Sequence, residues 1–194
     1  MTISWYGEAC FLIENGGTRI LVEPPQKESG INPPRLKSDI LIYSKPQPST
    51  DQEGETFVID GPGEYEIKGI NILGIADPST GSGQVNAIYN IEVDGVKICH
   101  LGFLNNDLDK EKLALIDDPD IVLVPVGGGD VLDAEEAMKL INKIEPSIAI
   151  PMLYASPAAF LKESEAKEPS QPKLTIKKKD INEEETKIVI LEKV

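Results

Sequence analysis

The sequence predicts a layered α/β domain, with two β-sheets in the middle and helices outside, and three observations carry that prediction. The first half is a succession of short segments rich in β-branched residues, separated by turn signals. The second half alternates apolar strands with segments of helical spacing. Hydrophobic residues make up 40% of the 194, and Val, Ile and Leu dominate them, as the buried strands of such a core require. A chain of this length suits one domain over 1–194.

The elements follow in order. TISWY, ACFLIE and TRILVE read as strands, and Asn15-Gly16-Gly17 between the last two is a hairpin signal. Pro24-Pro25 and Pro33-Pro34 bracket a loop before DILIY, an apolar strand of the buried type. TFVID is the next strand. Gly61-Pro62-Gly63 then turns the chain into EYEIKG and INILGI. A Gly/Ser/Pro-rich loop at 77–85 leads to NAIYNIEV and VKICHL, joined by the two-residue turn Asp94-Gly95. DKEKLALI at 109–116 has helical spacing, and IVLVPV is a buried strand. Asp133 with Glu136 three positions on predicts a capping box for EEAMKLINKI, which Pro146 ends. SIAIP is a strand, residues 155–172 read as a surface loop or short helical segment, and KLTIKK and KIVILE close the chain as strands.

The formal net charge of −14 excludes nucleic acid and anionic membrane surfaces as partners, since both demand basic patches. Lys177-Lys178-Lys179 is followed by Asp180 and by Glu183-Glu184-Glu185, so it reads as a solvated face. No stretch reaches the roughly 20 apolar residues that span a bilayer, and the opening ISWYG is not a signal peptide. Cys10 and Cys99 sit in apolar runs and read as buried free thiols, which places the chain in the cytoplasm.

The chain has one histidine, His100. Imidazole is the commonest transition-metal ligand and the usual base near neutral pH, so one His restricts both chemistries. That shortage acquires a meaning from WYGEACFLIENGGTRILVEPP, PPRLKSDILI, IDGPGEYEIKGINILGI, DGVKICHLGFL, PDIVLVPVGGG and IEPSIAIPMLY. In this order the six pieces, over roughly residues 1–154, resemble metallo-β-lactamase-fold hydrolases, with the short bacterial lactonase-like subfamily the nearest. The resemblance implies an αββα four-layer sandwich with a zinc site at one edge of its two sheets.

It also implies a His-x-His-x-Asp-His loop after the strand matched by DILIY. Carried over residue by residue, Lys45, Gln47, Ser49 and Thr50 take its four ligand positions. A later His has Ser79 or Pro78 nearest its place. The bridging Asp of an HLGD motif is Phe103, and the final His of a PMHY motif is Leu153. The non-ligand His of the opening motif is Glu8. His100 itself matches a supporting position, and reads as a hydrogen-bonded structural residue.

These replacements imply a pseudoenzyme with a degenerate metal site, no cofactor and no catalytic residue, retained for binding, regulation or scaffolding. The partner would be an unidentified protein or a second copy, with Tyr43, Phe103 and Leu153 as candidate contacts or as core filling. A residual pocket would comprise Glu8, Glu23, Asp60, His100 and Tyr154. An alternative stays open: a metal-dependent hydrolase of an ester, lactone or phosphodiester, with an unconventional oxygen-ligand site drawn from acids such as Glu8, Glu23, Asp51 and Asp60. A small-ligand sensor using the pocket without chemistry is a third. Gly127-Gly128-Gly129 lacks a Walker lysine and reads as a tight turn rather than a phosphate cradle, and a Ser44 or Ser49 with Lys45 nucleophilic pair has nothing else to support it.

Overall fold

A computed structural model describes residues 1–25, 37–46, 56–77, 85–167, 169–182 and 184–194. Thirteen strands are described: β1 (Thr2–Trp5), β2 (Phe11–Asn15), β3 (Thr18–Val22), β4 (Ile40–Ile42), β5 (Phe57–Ile59), β6 (Gly63–Ile67), β7 (Ile70–Asp77), β8 (Asn86–Val93), β9 (Val96–His100), β10 (Ile121–Pro125), β11 (Ile148–Met152), β12 (Leu174–Thr175) and β13 (Lys187–Ile188). Helices α1 (Lys110–Ile116), α2 (Ala134–Ile144) and α3 (Ala158–Ser164) are interleaved with the later strands.

The strands form two sheets, one ordered β12-β1-β2-β3-β4-β5 and the other β13-β11-β10-β9-β8-β7-β6. Period-2 patterning explains the stacking. In β1, Ile3 and Trp5 point inward with 0% and 7% exposure, while Thr2 and Ser4 are half-buried. Phe11, Ile13, Ile20, Val22, Ile40, Ile42, Tyr89, Ile91, Ile98, Leu123 and Ile150 meet between the sheets as the main core. Tyr89 ties the layers together: its hydroxyl, inside the core, donates to the carbonyls of Tyr43 (2.9 Å) and Gly61 (3.1 Å). On the outer face of the second sheet, Ile88, Cys99, Val122 and Val124 pack against Ile116 of α1, Leu140 and Ile141 of α2 and Phe160 of α3. The predicted layered α/β architecture is therefore present, and all three described helices cover the second sheet.

Local signals act where the chemistry demands. At the Asp94-Gly95 turn both residues have positive φ, 53° and 74°, the geometry that matches the strand twist of a two-residue hairpin. The capping box of α2 is complete: Glu136 N–H donates to Asp133 Oδ1 at 2.9 Å and Asp133 N–H donates to Glu136 Oε2 at 3.0 Å. Residues 155–172 contain α3, which buries Phe160. Both closing strands are shorter than expected, and KIVILE pairs as a strand only through Lys187–Ile188. KLTIKK pairs only through Leu174–Thr175, because Lys177 N–H donates to Asp180 Oδ2 and a 3-10 turn follows at Lys178–Asp180. Cys10 and Cys99 are free and buried. Among the described residues no helix is long and apolar enough to cross a membrane.

Candidate functional site

Two parallel strand sets end at the same edge of the sandwich. β3, β4 and β5 run parallel in the first sheet, and β9, β10, β11 and β13 in the second. Carboxyl ends of parallel strands are where open α/β sheets place ligands. Glu23 follows β3, Ser44 and Lys45 follow β4, Phe103 follows β9 and Leu153 follows β11, while Glu8 lies in the turn after β1.

The backbone at this edge is strained. Glu8, Glu23 and Leu153 have φ of 49°, 48° and 57°, left-handed values that cost side-chain-bearing residues free energy. The surroundings hold them there. Glu8 carbonyl accepts from the Leu153 N–H at 3.1 Å and from Trp5 Nε1 at 2.9 Å. Glu23 N–H donates to the Ile42 carbonyl at 2.9 Å. Gly127 packs beneath the Leu153 carbonyl so closely that no Cβ would fit.

Ser44 links both sheets. Its N–H donates to Glu23 Oε1, and its carbonyl accepts from Ala87 N–H at 2.7 Å. Burial pushes the Glu23 carboxyl up to about 7, against the opposing pull of the Ser44 groups and of the Lys45 charge. The Ser44 hydroxyl acts on that carboxyl without hydrogen-bond geometry: Oγ is fully enclosed and has no partner among the described residues. Buried polar atoms are seldom left so. Asn86, entirely buried, completes the floor by accepting from Phe103 N–H at 2.9 Å and donating to the Leu101 carbonyl at 3.1 Å.

His100 is 0% exposed, and both ring nitrogens are engaged. Nδ1 accepts from Gly102 N–H at 3.1 Å, so Nε2 carries the proton and donates to the Ala9 carbonyl at 3.1 Å. Burial drives its pKa down to about 4, leaving it neutral. Lys45 is half-buried, with Nζ 4.2 Å from the centre of the Phe103 ring. Phe103, Leu153 and Tyr154 are half-buried against the core, and Tyr154 stacks on Trp5 at 5.2 Å. Tyr43 is 7% exposed, a core-facing residue rather than a surface contact. Glu8 and Asp60 are exposed. The expected pocket residues Glu8, Glu23, His100 and Tyr154 thus share one edge, while Gln47, Ser49, Thr50, Asp51 and Ser79 lie outside the described residues. Asn86 was missed by sequence reasoning, and Ser44 was weighed only as a nucleophile paired with Lys45; a polar residue ending or opening an apolar strand was the available signal.

A zinc ion does not fit the described donors. The sole imidazole is committed at both nitrogens, burial pushes the Cys10 thiol up to about 12 and the Cys99 thiol further, and Lys45, Phe103 and Leu153 offer no lone pair a zinc ion would take. Among the described residues no three His, Cys, Asp or Glu side chains converge to hold a metal. The Glu23 carboxylate and the unpartnered Ser44 hydroxyl are oxygen donors, the chemistry that Mg²⁺ and Mn²⁺ prefer.

Residues 2–153 match the model of a beta-lactamase superfamily domain. A metal-dependent hydrolase of Thermoplasma acidophilum is 30% identical over 189 residues, covering 79% of this chain and 83% of its own. A metal-dependent hydrolase of Carboxydothermus hydrogenoformans is 26% identical over 193 residues, covering 79% and 84%. Among solved structures, a Thermotoga maritima chain assigned to the zinc-dependent hydrolases of the metallo-β-lactamase superfamily superposes with a TM-score of 0.81 at 28% identity, covering 98% of this chain and 97% of that one. These relatives overturn two expectations drawn from the replaced ligand positions. The readings of a pseudoenzyme with a degenerate metal site and of no cofactor are corrected, because chains matched along most of their length are named for metal-dependent hydrolysis. Replacement of imidazoles removes one ligand chemistry; it does not remove oxygen ligation.

Proposed function

The chain belongs to the beta-lactamase superfamily, and on that premise we propose that it is a metal-dependent hydrolase of an ester, lactone or phosphodiester whose metal is held by oxygen donors. The observation that carries the reading is the buried Glu23 carboxylate beside the unpartnered Ser44 hydroxyl, on an edge whose strained backbone is held by hydrogen bonds. Such strain persists where the surrounding structure over-determines it, and clusters at functional sites. Glu23 and Ser44 are the described residues that would hold a hard divalent ion, which when bound supplies Lewis-acid polarisation of the carbonyl or phosphoryl group.

The chain's other residues shape the site. His100 holds the Ala9 carbonyl and Gly102 N–H, and so fixes the turns that carry Glu8 and Phe103. Phe103, Leu153 and Tyr154, half-buried against the core, give this edge an apolar border. The free thiols of Cys10 and Cys99 support a reducing compartment, the cytoplasm, as its location.

The test is a screen of chelator-treated protein against p-nitrophenyl acetate, a γ-lactone and bis-p-nitrophenyl phosphate, with Mg²⁺, Mn²⁺ or Zn²⁺ restored in turn. Hydrolysis restored by Mg²⁺ or Mn²⁺ and lost in Glu23→Gln is the expected result. Hydrolysis with zinc alone, or none with any ion, would overturn the proposal.

A further inference from the structure

β6 closes one end of the second sheet, and among the described residues no strand pairs with its free side. Alternate residues of such an edge aim backbone N–H and C=O groups away from the sheet, where another chain can bind them. The side chains decide which chain that is. On the outer face, the register sets Glu66, Asn71, Glu92 and Lys97 side by side across β6–β9, with Glu64 and Leu73 in the neighbouring row. Leu73 packs against the outer apolar cluster, which fixes the face that both rows share. The rows line an open groove of about 520 Å³ whose far wall is the end of α1. Asn90 holds that wall by donating to the Leu115 and Ile116 carbonyls, each at 2.9 Å. The groove is acidic: Glu64, Glu66, Glu92 and Asp117 border it, and Lys97, the one cation among its described lining residues, pairs with Asp117 at 2.7 Å. The inner face of β6 is aromatic. Tyr65 is half-buried against the core, its ring edge-on to Phe57 at 6.4 Å, and Phe57 is 45% exposed.

We propose that the β6 edge docks an extended segment of a partner protein with a basic-apolar-basic alternation, which adds to the sheet as a strand beyond β6. Its two cations fall opposite Glu64 and Glu66 on the groove side, and the apolar residue between them falls on Tyr65 and Phe57. Opposite charges directly across a strand pair stabilise it, and like charges oppose it. A second copy of this chain is thereby rejected. Antiparallel pairing of β6 with itself about Tyr65 sets Glu64 against Glu66, and in-register parallel pairing sets each glutamate beside its own copy. The two carboxylates that guard the edge against this chain are the ones that select a cationic strand. Docking here needs neither metal nor turnover.

Titration of the isotope-labelled full chain with an acetylated, amidated Thr-Lys-Val-Lys-Thr peptide at low ionic strength, followed by amide NMR, tests the proposal. The amides of Gly63–Ile67 shift, and Glu64→Gln combined with Glu66→Gln weakens binding about tenfold with an unchanged melting temperature. Glu135→Gln combined with Glu163→Gln, the same loss of charge on α2 and α3, binds as wild type does. Thr-Lys-Lys-Val-Thr, which turns one lysine toward Tyr65, binds about tenfold more weakly. No binding, peptide shifts away from β6 and its groove, or wild-type affinity in the Glu64→Gln, Glu66→Gln chain would overturn it. So would spermidine matching the peptide, or concentration-dependent β6 shifts in the chain alone, which mark a second copy on that edge.

Discussion

Glu23 and His100 are buried groups displaced by similar amounts in opposite directions, so stability between pH 5 and 6.5 should barely change until one of them is removed. Burial raises Glu23 from 4.5 to about 7, so between those values the folded state keeps a proton that the unfolded state has lost. Acidification through that window stabilises the fold. Burial lowers His100 from 6.5 to about 4, so there the unfolded state is protonated and the folded imidazole is not. Acidification through that window destabilises. At about 1.4 kcal/mol per pH unit, each displacement is worth about 3 kcal/mol over its full window, and about 1.5 kcal/mol between pH 6.5 and 5. The two contributions cancel in the wild type. Urea denaturation with a chelator present, followed by the fluorescence of the single tryptophan, Trp5, measures them apart. Glu23→Gln should lose about 1.5 kcal/mol on acidification from pH 6.5 to 5, and His100→Asn should gain about as much across the same interval. A Glu23→Gln profile as flat as the wild type's would refute the reasoning.

Two further outcomes concern the scaffold. Asp77 is 0% exposed and pairs with Lys112 at 2.6 Å, fastening α1 to the end of β7; Lys112→Met removes that charged hydrogen bond and should cost about 1.5–3 kcal/mol in urea denaturation, with Asp77→Asn in the same chain recovering part of the loss. Asp133→Ala removes the capping box of α2 and should cost about 1 kcal/mol by the same measurement.

Elements whose signals are local were legible in the sequence. Asp94-Gly95 names its own turn, and Asp133 with Glu136 names the start of α2. KLTIKK was misjudged because its apolar alternation competes with a short-range bond from Lys177 N–H to the Asp180 carboxylate, which a pattern of hydrophobicity does not encode. At the site, the residue types at positions 45, 103 and 153 excluded imidazole ligation from sequence alone. Oxygen ligation stood there as the alternative, with Glu23 among four candidate acids; what escaped was the geometry that singles it out. Glu23 was one of several candidate carboxylates because a chain with 33 acids places some together by chance. Its burial, its bond to Ser44 N–H and the unpartnered Ser44 hydroxyl arise from residues 21 positions apart being brought together by two parallel strands. The tie from Asn86 to Phe103 is equally non-local, and so is the bond between Leu153 and Glu8.

The identity of the bound metal tests the account most directly. Elemental analysis of protein purified without added metal, and of the same protein after chelation and equilibration with equal Mg²⁺, Mn²⁺ and Zn²⁺, reads the donor chemistry independently of any substrate. The account predicts about one Mg²⁺ or Mn²⁺ per chain, lost in Glu23→Gln and retained in His100→Asn. Stoichiometric zinc in the wild type, or metal content unchanged by Glu23→Gln, would contradict it.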